Sequence, residues 1–197
     1  MWKLIFLFAL STATLSAQTF RAAALVGLNL SQLDGDDLLG FHQPGLNAGL
    51  RVVAVLDDHW RVGPEILFSQ QGAKRNTNSV TQSAFDAFRF QTVELPVMVH
   101  YHDWRLTAEA GVSYQRLLSY RVVNTLGEDV TDDVHLQDDA LVLHLGATLD
   151  LSPRLGLHFR WSRHLTNQQA GAGPRFVSRS LTFRAVYTIG RATDLPQ

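Results

Sequence analysis

The sequence predicts an all-β fold, an eight-stranded antiparallel up-and-down transmembrane β-barrel. Three observations predict it. Apolar and polar residues alternate with period two in eight runs of roughly ten residues, the length a tilted strand needs to cross a bilayer. The links between runs are short and long in strict turn. After residue 17 no apolar stretch approaches the roughly 20 residues of a spanning helix.

The runs follow in order. Ala22–Ser31 is the first. Gly45–Leu56 sets Leu46, Ala48, Leu50, Val52, Ala54 and Leu56 against Asn47, Gly49 and Arg51. Trp60–Gln70 sets Trp60, Val62, Ile66 and Phe68 against Arg61, Glu65 and Ser69. Gln91–Tyr101 and Trp104–Gln115 alternate likewise, with Glu94 and Glu109 on their polar sides. Leu141–Leu151 sets five leucines and Ala147 against His144, Thr148 and Asp150; Leu155–His164 and Ser180–Ile189 complete the set. Asp57-Asp58-His59, His102-Asp103 and Ser152-Pro153-Arg154 read as tight turns. Residues 32–44, 71–90, 116–140 and 165–179 read as long polar loops. All short turns and both termini then lie at one end and all long loops at the other, as in an outer-membrane barrel with periplasmic turns and outer loops.

Composition narrows the function classes. At 197 residues the chain suits one domain, and 46% hydrophobic with 18% charged residues excludes disorder. A net charge of −1 gives nucleic acid no bulk attraction. With no cysteine, disulfides, iron–sulfur clusters and thiolate zinc sites drop out, as does a lipid-attachment cysteine. Residues 1–17 read as a signal peptide: Lys3, the apolar Leu4–Leu10, then Leu15-Ser16-Ala17 before Gln18. Residues 18–191 form the barrel domain and 192–197 a short C-terminal tail.

Alternation alone leaves a soluble calyx open, because a lipocalin-like barrel also has eight strands. Three features favour lipid on the apolar face. Only Lys3 and Lys74 among 17 basic residues are lysine, and none lies on the polar faces of the runs, whereas a water-facing sheet recruits lysine. Small residues such as Gly49, Gly63, Gly111, Gly146 and Gly156 share the polar face, which suits a crowded interior. Aromatics gather near strand ends: Trp60, Tyr101, Trp104 and Tyr187 toward the turns, and Phe68, Tyr114 and Trp161 toward the loops. Such residues form membrane-interface girdles.

Counting from the turns puts Arg51, Glu65, Glu94, Glu109, Arg160 and Arg184 at one inward-facing level. Eight strands enclose just enough room for side chains, and buried charges must pair. A lumen ion-pair network that plugs the barrel is therefore expected, with a charged pore lining as the alternative. Pro64 and Pro96 fall inside strands of a barrel that has no free edge, so a bulge is expected at each.

Several segments resemble, in order, the PorT-like outer-membrane β-barrel family of Bacteroidetes-type bacteria. They are Gly27-Leu28-Asn29-Leu30-Ser31, Pro44-Gly45-Leu46-Asn47-Ala48-Gly49, Pro64-Glu65-Ile66-Leu67-Phe68-Ser69-Gln70-Gln71-Gly72, Val93-Glu94-Leu95-Pro96-Val97 and Ala110-Gly111-Val112-Ser113-Tyr114. The Pro-Glu and Glu-Leu-Pro segments are the most specific. The resemblance implies a fold, an outer-membrane location and, through the founding member, a link to assembly of a protein secretion system. It implies no reaction. The chain departs from the usual barrel ending, since residues 190–197 extend past the last strand and leave Tyr187 and Ile189 to mark its end.

Other chemistries are weaker. His100 and His102 share a face, but His102 sits in a turn, and a metal needs three or four convergent ligands. The third long loop carries Glu128, Asp129, Asp132, Asp133, Asp138 and Asp139 without the spacing of a calcium loop. Ser162 and His164 share a face near the outer rim, yet no Gly-x-Ser-x-Gly element exists. His144 and His158 read as hydrogen-bonded lumen filler. Neither a phosphate loop nor a dinucleotide fingerprint is present; Gly171-Ala172-Gly173-Pro174 reads as loop. The expectation is a barrel that is not an enzyme, takes no cofactor or metal, and has a structural or adaptor role. A small-solute channel and a lipid-modifying barrel enzyme are the alternatives. Its partners would be outer-membrane lipid, the barrel-insertion machinery and proteins docking at loops or periplasmic turns.

Overall fold

The computed structural model describes residues 19–34, 43–74, 85–131, 137–166 and 177–190. Eight strands follow one another: β1 (Thr19–Asp34), β2 (Gln43–Val55), β3 (Trp60–Lys74), β4 (Phe85–Asp103), β5 (Leu106–Asn124), β6 (Asp139–Asp150), β7 (Leu155–His164) and β8 (Val177–Ile189). Each pairs antiparallel with its neighbour in sequence, and β8 closes onto β1. The regions expected to be signal peptide and C-terminal tail lie outside the described residues, as does the Gly171–Pro174 segment.

The register fixes the barrel's dimensions. Following partners sideways leads from Thr19 through Val55, Arg61, His100, Glu109, Gly146, Arg160 and Thr182 to Asn29. The path returns to β1 ten residues further along, a shear of ten for eight strands. With a rise of about 3.3 Å and a strand spacing of about 4.7 Å, the strands tilt by about 40° and their axes lie about 8 Å from the centre.

The faces are inverted relative to a water-soluble protein. Among the described residues, ten apolar side chains are buried against twenty-three polar or charged ones. Leu28, Leu50, Ile66, Val97, Val112, Leu145, Leu157 and Phe183 all face outward and are roughly half exposed. On β6 and its turn the outward residues Leu141, Leu145, Leu149 and Leu151 cover ten residue steps of tilted chain, a band about 25 Å tall. A soluble calyx would leave this surface against water.

Three sequence expectations need correction. First, much of the expected loop is strand. β3 runs on to Lys74, β4 starts at Phe85 and β5 continues to Asn124, so the paired sheet extends into segments expected as loops. Beyond β5, Gly127 adopts a φ of 81°, and the chain folds back so that Val130 N–H donates to Val122 O at 3.0 Å. Second, the β4–β5 turn is Trp104-Arg105, not His102-Asp103; Asp103 pairs with Leu106 and Trp104 takes a φ of 51°. Third, the prolines carry no bulge. Register shifts in β4–β5 fall between Phe85/Ala87 and Gln91/Thr92. Pro64 pairs with Val97 on its β4 side, while the β2–β3 ladder is interrupted from Arg51/Glu65 to Ala54/Val62. Pro96 pairs with Ser113 on its β5 side, while the β3–β4 ladder is interrupted from Pro64/Val97 to Leu67/Glu94. Each proline thus turns its missing N–H toward a gap in one ladder, and the register continues unchanged across it.

Candidate functional site

Four charges meet at the centre of the lumen. Arg51 on β2 and Glu65 on β3 are direct cross-strand partners, and Arg51 Nε donates to Glu65 Oε1 at 2.6 Å. From β7, Arg160 donates to the same carboxylate through Nη1 at 2.7 Å and Nη2 at 2.9 Å, a bidentate fork. Glu109 on β5 accepts from Arg51 Nη2 at 2.8 Å and from Arg160 Nε at 2.8 Å. Two guanidinium groups and two carboxylates therefore alternate across the barrel, and both glutamate side chains are fully buried.

Gly146 makes this geometry available. It stands between Glu109 and Arg160 in the register. A Cβ there would lie 2.9 Å from Glu109 Oε1 and 2.7 Å from Phe159 O, so any side chain would displace the carboxylate. His158 extends the cluster. Its Nε2 lies 2.6 Å from Glu109 Oε1, and Arg184 Nε donates to its Nδ1 at 3.2 Å. That pattern assigns a neutral imidazole with the proton on Nε2. Arg184 also donates to Asn47 Oδ1 at 3.1 Å.

The six residues expected at one level divide. Arg51, Glu65, Glu109 and Arg160 come together; Arg184 joins only through His158. Glu94 stands apart, accepting from Gln71 Nε2 at 3.2 Å, with His144 Nε2 at 3.9 Å. The cause is register: opposite Glu109 on β4 stands His100, while Glu94 faces Gln115, six residue pairs further from the turn. Sequence reasoning also left His158 and Gly146 out of the network, although both lay on its inward face.

The remaining candidates have plain partners. His144 bridges Ser162 Oγ at 2.8 Å and Ser113 Oγ at 2.7 Å, so the histidine beside Ser162 is His144 and not His164, whose Nε2 meets Gln115 Oε1 at 2.5 Å. All of these are buried inside the lumen. Glu65, His100 and Glu109 hold potential ligand atoms within 4.8 Å of one another, but both carboxylates are already engaged by Arg51 and Arg160, which would repel a dication. At the loop end Arg116 pairs with Asp138 and Asp139, Arg121 with Asp129, and Asn124 with Glu128. Thr131 holds the Asp129 carboxyl below the usual carboxylate range by hydrogen bonding. Asp132 and Asp133 lie outside the described residues.

The seven aromatics expected at the interfaces lie on the outer surface at the two ends. Trp60 and Tyr101 pack edge to face with centroids 5.0 Å apart, and His59 stacks on Tyr101 at 5.4 Å. Trp104 sits in its turn with the Arg105 guanidinium 5.8 Å from the ring, and Tyr187 is outward on β8. Toward the loops, Tyr114 donates to Asp139 Oδ1 at 2.5 Å, while Phe68 and Trp161 are half-buried.

Two cavities flank the charged centre. One, of about 10 Å³, lies on the loop side among Asn29, Glu94, His144, Arg160 and Arg184. The other, of about 90 Å³, lies on the turn side.

Known proteins share this architecture. Neisserial surface protein A superposes with a TM-score of 0.54, at 10% identity, over 87% of this chain and 99% of that one. Ail, the attachment invasion locus protein of Yersinia pestis, superposes with a TM-score of 0.51, at 9% identity, over 86% and 99%. At such identities the likeness concerns the fold. No curated protein matches the sequence. A family model described as an outer membrane protein beta-barrel domain matches residues 16–188. The inverted faces, the closed eight-stranded sheet and this match agree, and the chain belongs to the outer membrane protein beta-barrel domain family.

Proposed function

We propose that this barrel is a closed, non-conducting outer-membrane protein with a structural or adaptor role, exported by its N-terminal signal peptide. The observation that carries the reading is the Arg51–Glu65–Arg160–Glu109 cluster, which crosses a lumen ringed by strand axes about 8 Å from its centre. Filled at its centre, the barrel offers other molecules its two ends and its lipid-facing wall. Its task is then to dock proteins at the loops or periplasmic turns, having been placed in outer-membrane lipid by the barrel-insertion machinery. A part in assembling a protein secretion system, implied by the PorT-like segments, is one such docking role. The role is not enzymatic: Ser162 and His144 are bonded to each other inside the lumen, away from lipid.

Planar-bilayer recording tests the closed lumen. The intact protein gives no steady open level, and Arg160→Ala, which removes the guanidinium shared by both carboxylates, introduces one. A steady conductance in the unaltered protein, with ion selectivity changed by Glu109→Gln, overturns the reading in favour of a small-solute channel.

A further inference from the structure

The turn-end mouth of the lumen differs in charge from its centre. The 90 Å³ cavity there is lined by Arg21 from β1, Arg61 from β3 and Arg154 from the β6–β7 turn, with Asp150 as the lining acid. Arg51 and His100 form its floor and belong to the central cluster. Arg51 is neutralised by Glu65 and Glu109. Three guanidinium groups therefore face one carboxylate, an excess of two positive charges in a mouth that closes on a buried floor.

These cations lack hydrogen-bonding partners among the described residues, and Asp150 is the acid that attracts Arg21 and Arg61. Among the described residues the side chains of Arg21, Arg61 and Arg154 make no hydrogen bond or ion pair, and Arg61 Nε is buried without an acceptor. Two more buried polar atoms on the same wall are also unpartnered, Thr148 Oγ1 and His100 Nε2. Three of the five such atoms in the described structure thus line this one cavity. Buried polar groups are ordinarily satisfied, and an unmet donor marks a missing partner. At the same mouth His102 Nδ1 lies 2.9 Å from Thr107 Oγ1 and 3.9 Å from Asp150 Oδ2. Arg105 is bound to the Asp150 and Leu151 carbonyls at the rim.

We infer that the turn-end mouth is a binding site for a phosphate-type oxyanion, held by Arg21, Arg61 and Arg154 with Thr148 as a further donor. The excess charge matches a dianion better than chloride or a lone carboxylate. Guanidinium forks suit tetrahedral oxyanions, and the cavity exceeds the roughly 15 Å³ that one water requires, leaving room for a phosphate group. The group can reach this mouth as a soluble phosphate or as a phospholipid headgroup of the leaflet at the same end. The inference does not rest on the barrel being closed.

Calorimetry on the full mature chain, refolded in phospholipid-free detergent at fixed ionic strength, tests it with inorganic phosphate as the probe. Native mass spectrometry of the same protein with added phosphatidylglycerol tests the headgroup. Phosphate binding identifies a soluble source and retained phosphatidylglycerol a headgroup, and either supports the site. Arg21→Gln and Arg61→Gln each weaken whichever binding is seen by about tenfold. Arg116→Gln at the opposite end leaves it unchanged. Gel mobility of unboiled against boiled protein confirms that each variant is folded. Absence of both bindings, or equal loss with Arg116→Gln, overturns the inference.

Discussion

Removing Glu109 is the sharpest test of the charged centre. Glu109→Ala deprives Arg51 Nη2, Arg160 Nε and His158 Nε2 of their acceptor at once. Arg51 and Arg160 are then left to share Glu65, and a balanced quartet becomes a buried site with one excess positive charge. Breaking a buried pair by deleting one partner costs about 3–5 kcal/mol, and water entering the vacated volume offsets part of that. We expect a loss of about 4 kcal/mol by that reasoning. Glu109→Gln keeps an acceptor and costs less. In Glu109→Ala with Arg160→Ala the second loss is partly absorbed, so the double variant falls short of additivity by about 1–3 kcal/mol. The assay is urea unfolding of protein refolded into lipid vesicles, followed by tryptophan emission and by gel mobility. A cost below about 1 kcal/mol for Glu109→Ala, with an additive double variant, would mean that the pairs behave like exposed surface ion pairs and would refute the buried-cluster argument.

Three further outcomes follow from other parts of the barrel. Gly146→Ala pushes a methyl group against the Glu109 carboxylate and the Phe159 carbonyl, and in the same vesicle assay it should cost about 1–3 kcal/mol. Leu145→Arg, on the lipid face at mid-height of β6, should lower vesicle-inserted stability by about 2–4 kcal/mol, whereas a soluble calyx would tolerate it. Asp57 accepts backbone N–H groups of Trp60 at 2.7 Å and His59 at 2.8 Å, which hold its carboxyl below the ordinary value of 3.8. A lowered folded-state value means that this contribution is complete above about pH 4 and lost as pH falls through the folded-state titration, so Asp57→Ala should flatten stability against pH only on the acid side.

The eight strands were legible because each carries one lipid-facing and one lumen-facing side, and that two-sided demand writes period two into the sequence. Where the demand ends the signal fails. Residues 71–74 of β3 and 117–124 of β5 are paired strand, yet they lie in segments expected as loops and lose the clean alternation. The Trp104 turn was misplaced because a tryptophan at positive φ breaks the usual preference for glycine or asparagine in two-residue hairpins. That shift also explains Glu94. Counting from Tyr101 set it level with Glu109, but strand ends do not reveal register, and the tilt of about 40° turns a small offset between neighbours into a different height in the lumen. Arg51 and Glu65 do lie at the same level, because the turn between them is short and fixes their register directly.

The contrast between centre and mouth bears on what each does. Strands that must face lipid on one side cannot also be apolar on the other without losing the alternation that directs their insertion, so an eight-stranded lumen is filled with polar groups by necessity. Polar filler minimises its free energy by pairing off, and at the centre it has done so: Arg51, Arg160, Glu65 and Glu109 balance, and His158 is oriented by partners on both nitrogens. The same selection acting at the mouth would have supplied acids opposite Arg21 and Arg61, on positions such as Thr107, Thr148 and Thr188 that line the same cavity. Threonine there leaves Asp150 as the lining acid for three guanidinium groups, beside the unpartnered Thr148 hydroxyl. Filler explains the centre; a site held open for an incoming anion explains the mouth.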